Sequence, residues 1–302
     1  MPPIFSPTSA TPYYIYRPIP LFRVMTHTHT PFWALPVYPP VGIDRQQLAR
    51  HYHGRQVVIT GASRGIGRVL TQQLIDIGAR LFLIARNEEA LQTLCHEARQ
   101  RGCEADYYAI DLRERNDLEV CCKTMKEKLP VVDFLFCNAG KSIRRRIEAS
   151  VDRLHDFDRT IDLNYRASVA LSLALLPALQ RSGGRIIYVS SVSTLYPPAP
   201  AWSAYHASKC AANTWYETAA VELHPRGIQV QIAYLPLVHT GMSDVTETYS
   251  KIPAYSPEQA ARILLRLSMQ RRFTYKPWWA RLSAPIAHLL SPLLRMLYSR
   301  LL

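Results

Sequence analysis

With 302 residues, 48% of them apolar, the chain can bury one full α/β core and leaves about fifty residues at its front and about thirty at its back. Its formal charge of +13 calls for an anionic partner, but the basic residues are dispersed rather than set on a recognition helix, so no nucleic-acid module is expected. The six cysteines show no C-x-x-C spacing, so no metal site is expected; reduced thiols favour the cytoplasmic side of a membrane.

Residues 1–50 are rich in proline and aromatics, as in Pro18-Ile19-Pro20, Pro39-Pro40, Tyr13-Tyr14 and Phe32-Trp33. Proline at this density blocks helix and strand ladders, so an irregular extension is predicted, its last part packed on the domain that follows. No signal peptide is recognisable, and no stretch is long enough to span a bilayer. Thr26-His27-Thr28-His29 is too short to suggest a metal site, and Met25 is an alternative start.

From residue 51 the pattern changes. Gln56-Val57-Val58-Ile59 reads as a buried strand, Thr60 to Gly67 as a glycine turn, and Val69-Leu70…Leu74-Ile75 as a helix ending at Gly78. Strand, glycine turn and helix make the first unit of a dinucleotide fold, whose free N–H groups attract a pyrophosphate. The second strand, Leu81-Phe82-Leu83-Ile84, ends at Ala85-Arg86 with no carboxylate to take a ribose diol. Arg86 and Arg64 suit a 2′-phosphate instead, which predicts NADP(H) over NAD(H). A third strand, Tyr107 to Ile110, precedes Asp111, and a fourth, Val132 to Phe136, leads into Cys137-Asn138-Ala139-Gly140, where Gly140 marks a close backbone approach. Arg144-Arg145-Arg146 follows; a solvated loop competes with a substrate-side role for it. A fifth strand ends in Ser190-Ser191, whose side chains must point to opposite faces. Tyr205 and Lys209 then stand one helical turn apart, which places an ammonium beside a phenol.

Together these residues resemble the classical short-chain dehydrogenase/reductase family over about Gly54 to Arg271. The T-G-x-x-x-G-I-G motif is complete from Thr60 to Gly67, and Y-x-x-x-K is intact at Tyr205 and Lys209. The N-N-A-G motif has cysteine at its first position, Cys137. The resemblance implies a doubly wound, mostly parallel Rossmann-type sheet in three α/β/α layers, with NADP(H) bound by Gly61, Ser63, Arg64, Gly65, Ile66, Gly67, Arg86, Asp111, Asn138, Ala139, Gly140 and Thr240. Asp111 would contact adenine, or else cap the helix starting near Glu114. Thr240 would meet the carboxamide. Tyr205 and Lys209 also touch the cofactor, and the implied catalytic set is Asn164, Ser191, Tyr205 and Lys209. In that mechanism Tyr205 protonates an alkoxide formed by hydride transfer, Ser191 holds the carbonyl oxygen, and Lys209 lowers the phenol's pKa and holds the nicotinamide ribose. Asn164 supports a water that leads from Lys209 to solvent. Two departures stand out: fourteen positions separate Ser191 from Tyr205, one more than usual, and the P-G turn after the sixth strand (Ile228 to Tyr234) is Pro236-Leu237.

A variable flap is expected over Val238 to Pro253, and a helix capped by Ser256 after it. Residues 273–302 form a basic amphipathic tail beyond a catalytic domain of residues 51–272. Leu282, Ile286, Leu289, Leu290, Leu293, Leu294, Leu297 and Leu301 recur at helical spacing; Arg281, His288 and Arg295 share the opposite face with Ala284 and Ser291 beside them. Pro285 and Pro292 should kink or split this helix. Such a tail fits peripheral contact with the inner face of a membrane, or packing on the enzyme's own core or a partner subunit. The overall expectation is an NADP(H)-dependent reductase of a lipophilic ketone at a membrane surface. The competing readings are a soluble reductase of small ketones or sugars that uses its tail in a homo-oligomer, and a cofactor-binding sensor without catalysis.

Overall fold

A computed structural model describes residues 32–243, 249 and 251–301. The readings of Thr26 to His29 and of Met25, and part of the flap, lie outside these residues. Seven parallel strands are hydrogen-bonded in the order β3-β2-β1-β4-β5-β6-β7: β1 (Gln56–Thr60), β2 (Arg80–Ala85), β3 (Ala105–Ala109), β4 (Phe134–Cys137), β5 (Arg185–Ser191), β6 (Gln229–Leu235) and β7 (Thr274–Tyr275). Strand order reverses between β1 and β4, and in a doubly wound sheet ligands bind in the crevice at the carboxyl ends of such strands.

Both sheet faces are covered, which explains strands that are apolar on both sides rather than alternating. On one face Val57, Ile59, Leu81 and Leu83 pack against α1 (Arg45–Tyr52), α2 (Gly65–Ile75), α3 (Glu88–Gln100) and α8 (Pro257–Ser268). On the other, Val58, Leu135, Ile186 and Tyr188 meet α4 (Arg115–Lys128), α6 (Ser168–Ser182) and α7 (Ser203–Leu223). Ser256 caps α8 in a full capping box with Gln259. A further helix, α5 (Leu154–Ile161), runs into α6 through a π-helical turn over Asp162–Ala167.

Regular structure flanks the central sheet on both sides among the described residues. The helix α1 crosses the 50/51 boundary, with Asp44 accepting from the Gln46 N–H as its cap and with Leu48 and Tyr52 buried. Beyond residue 272, β7 extends the sheet beside β6, with Ile232 opposite Thr274. The tail forms α9 (Trp278–Leu289) and α10 (Ser291–Leu301). The break falls at Leu290, so Pro292 sits in the first turn of α10, where its missing N–H costs nothing, while Pro285 lies inside α9. No helix among the described residues is long and apolar enough to cross a membrane.

Candidate active site

The glycine turn is built by close approach. Gly61 (φ 69°) and Gly65 (φ 54°) adopt left-handed backbone that a side chain would strain. A Cβ on Gly67 would lie 2.2 Å from the Gly61 oxygen, and one on Gly65 would lie 3.3 Å from Thr240 Cγ2. Thr240, which follows the end of β6, therefore lies over the turn. Asn138 clamps the turn rather than facing outward: its Nδ2 donates to the oxygens of Thr60 (3.1 Å) and Gly61 (3.3 Å). Thr60 completes the clamp, because its Oγ1 accepts from the N–H groups of Asn138 and Ala139. Thr60 opens the T-G-x-x-x-G-I-G motif, but the implied cofactor-binding set began at Gly61 and left this clamp out.

The residues present fit a dinucleotide. Three glycines leave room for its backbone, and the start of α2 after Ser63 and Arg64 has no side-chain cap on its N–H groups, which favours a pyrophosphate beside Ile66. Arg86, at the end of β2, sits 3.6 Å from Asp111, at the end of β3. Asp111 is held far more firmly by Arg113, which donates from both Nε and Nη2. These bonds outweigh burial and keep the Asp111 carboxyl below its ordinary range. Asp111 does not cap α4; Glu114 occupies the cap position. Burial lowers the pKa of Lys141, and the Arg113, Arg159 and Arg86 guanidiniums add to the effect, while Asp156 opposes it.

The candidate proton-transfer residues gather at the end of β5. Ser190 points to the opposite face and donates to Asn213 Oδ1 at 2.6 Å. Ser191 Oγ faces the site, 2.9 Å from Ser193 Oγ, and accepts from the Ser193 N–H. Burial raises the Tyr205 phenol, and a hydrogen bond from Ser191 pulls the other way. Lys209 Nζ donates to the Val189 oxygen at 2.7 Å and stands 4.8 Å over the Tyr188 ring. Burial brings its pKa down to about 7. Desolvation disfavours both charged forms, the phenolate of Tyr205 and the ammonium of Lys209.

Asn164 is fully buried in the π-helical turn, where its Nδ2 donates to the Lys141 oxygen and Ser208 Oγ and its Oδ1 accepts from the Lys141 N–H. A Cβ on Gly140 would meet Asn164 Oδ1 at 3.2 Å and Lys209 Nζ at 3.6 Å, so these three residues converge. Cys137 is buried against Ser168 and Ser172, and its replacement of asparagine changes the wall behind the site. The longer loop before Tyr205 turns through Ala201 at φ 68°, whose oxygen accepts from the Arg145 N–H. Trp202 follows, edge-on to Tyr205 and stacked on Tyr249. These two aromatics were missed because nothing in local spacing marks them. Leu237 is held by its oxygen, which accepts from the Tyr255 N–H at 3.0 Å. Of the arginine cluster, Arg145 pairs with buried Asp156 and Arg146 with Glu148, while Arg144 stands near Tyr249.

A family profile for short chain dehydrogenases matches residues 55–250. The chain belongs to this family. The short-chain dehydrogenase is 37% identical over 219 residues to a fatty acyl-CoA reductase of Acinetobacter baylyi, covering 72% of this chain and 74% of that protein. Its fold matches a Sphingobium yanoikuyae short-chain dehydrogenase in complex with NADPH, with a TM-score of 0.68 and 25% identity over 78% of this chain and 95% of that one. It also matches a metagenomic short-chain oxidoreductase in complex with NADP, with a TM-score of 0.63 and 26% identity over 74% and 97% of the respective chains. It is an oxidoreductase by family.

Proposed function

We propose that this short-chain dehydrogenase uses NADP(H) to interconvert a ketone and a secondary alcohol, reducing a lipophilic substrate at a membrane surface. The observation that carries this reading is the meeting of Ser191, Tyr205 and Lys209 at the end of β5, beside the glycine turn. Bound NADPH would supply the hydride. Ser191 then holds the carbonyl oxygen as charge grows on it, and Tyr205, kept protonated by burial, gives that oxygen its proton. Lys209 and Asn164 hold the lower end of the proton path, and Arg86 with Arg64 selects the phosphate-bearing cofactor.

Support for a lipophilic substrate comes from the Trp202–Tyr249 stack beside Tyr205 and from the acyl-CoA reductase among the relatives. That relative also favours a second reading, a fatty acyl thioester. Arg144, near Tyr249, suits a phosphate of an anionic carrier. The deciding measurement is NADPH oxidation with long-chain ketones, fatty acyl thioesters and small water-soluble ketones. Turnover of a long-chain carbonyl, abolished in Tyr205→Phe with NADPH binding intact, supports the assignment. No NADPH consumption with any of them, or full turnover by the variant, removes it.

A further inference from the structure

We propose that the Phe32–Ala34 turn and the outer face of the tail form one continuous docking surface for an anionic lipid bilayer, set beside the catalytic serine. This rests on the reading of the enzyme as acting at a membrane and identifies the surface that does so. The turn is anchored by Ala34, which is 1% exposed, while Phe32 and Trp33 stand out at 89% and 70% exposure. Two indoles from the start of α9 hold it in place. Trp278 Nε1 donates to the Pro36 oxygen at 2.7 Å and Trp279 Nε1 to the Val37 oxygen at 3.1 Å. The segment that follows this exposed apolar pair is thus tied at Pro36 to Trp278, which is itself half exposed at the head of the tail.

The tail is fastened by its small residues and leaves its leucines outside. Ala280 and Ala284 are buried, Ser283 Oγ lies 2.6 Å from the Tyr196 hydroxyl, and His288 Nε2 lies 3.2 Å from the Leu195 oxygen. On the opposite side Leu282, Ile286, Leu289, Leu293 and Leu297 are all exposed, Leu289 at 81%. A monomeric surface rarely leaves so many large apolar side chains together in water. Charge names the occupant: from Gln259 to Leu302 the chain carries Arg262, Arg266, Arg271, Arg272, Lys276, Arg281, Arg295 and Arg300, and no aspartate or glutamate. A cationic segment with leucines on one face and tryptophans at its head suits the headgroup layer of an anionic membrane. Leu195 and Tyr196, where α9 docks, close the short 3-10 turn that begins directly after Ser191. A lipophilic carbonyl leaving the acyl layer would therefore emerge beside the group that holds its oxygen.

The test is flotation of the full chain with phosphatidylglycerol–phosphatidylcholine vesicles and with phosphatidylcholine alone. It compares wild type with Phe32→Ser/Trp33→Ser and with Leu289→Gln/Leu293→Gln, neither of which touches the catalytic groups. Wild type should float with the anionic vesicles and be released by salt, and each double variant should lose at least tenfold in vesicle affinity. Quenching of tryptophan fluorescence by brominated lipid should fall in Trp33→Phe. Undiminished flotation by either double variant overturns the proposal. So does a shift to a smaller oligomer without loss of flotation, since the face would then join two copies. NADPH turnover in detergent solution of long-chain ketones, fatty acyl thioesters and water-soluble ketones, read in parallel, separates the two readings. Flotation lost with turnover kept is the expected variant result; turnover absent in wild type with flotation intact would strike the redox assignment alone.

Discussion

The Nζ of Lys209 donates to the Val189 oxygen across 2.7 Å, tying α7 to the strand that ends in Ser191. The bond holds an ammonium where burial disfavours it, and its pKa falls from 10.5 to about 7. Below that pH Lys209 keeps its proton and supports negative charge in the site; above it the support is lost. Accordingly, kcat/KM for carbonyl reduction should be level below about pH 7 and fall as pH rises through it, since this parameter reports groups of the free enzyme. The unfolded chain holds the same proton to higher pH, so this group makes stability rise between about pH 7 and 10.5. Unfolding curves of wild type and Lys209→Met should show that slope in the wild type alone.

Ser191 should act on the transition state and little on cofactor binding. Its Oγ is oriented by the Ser193 N–H at 3.2 Å. Replacing Ser191 with alanine should lower kcat by about 100- to 1000-fold, the usual cost of one oxyanion donor. NADPH affinity, read by fluorescence titration, should not move.

Gly67→Ala tests the turn itself. The new methyl would sit 2.2 Å from the Gly61 oxygen and 2.6 Å from Asn138 Nδ2, so backbone has to shift. Overpacking of this kind costs about 1–3 kcal/mol, and because the shift opens the cradle, NADPH affinity should drop with the melting temperature. Gly42→Ala is the control, since a Cβ there meets nothing within 4 Å.

Arg86→Asp should reverse cofactor preference. A charged hydrogen bond contributes about 1.5–3 kcal/mol, so NADPH should lose roughly 10- to 100-fold in kcat/KM relative to NADH. An unchanged preference would place phosphate selection elsewhere, with Arg64 as the next position to change.

Asp156 carries the arginine loop. Burial alone would raise its carboxyl, but hydrogen bonds from Arg145 and Arg153 outweigh burial and hold it below the ordinary range. Its stabilisation is present at neutral pH and disappears as pH falls through that lowered pKa. Asp156→Asn should cost about 1–3 kcal/mol at pH 7, with wild-type and variant unfolding curves converging in acid.

Much of this site was legible because its parts are local. A glycine turn between strand and helix, and a tyrosine and lysine four apart, are set by backbone geometry within one short stretch. Other features were not readable. Trp202 and Tyr249 stack although forty-seven positions separate them. The two residues of β7 are too few to show a period, and they pair only because β6 offers an open edge.

From its sequence alone this protein declared the order of its first six strands, the glycine cradle and the spacing of phenol and ammonium. Each depends on residues close in the chain, where spacing dictates geometry. Only the tertiary structure decided that Ser190 turns to Asn213 while Ser191 faces Tyr205, and that desolvation sets the charge of Lys209. It likewise decided that the tail docks by Ala280 and Ala284 and leaves its leucines outward. Burial is a property of what packs on a residue, and those neighbours come from distant parts of the chain.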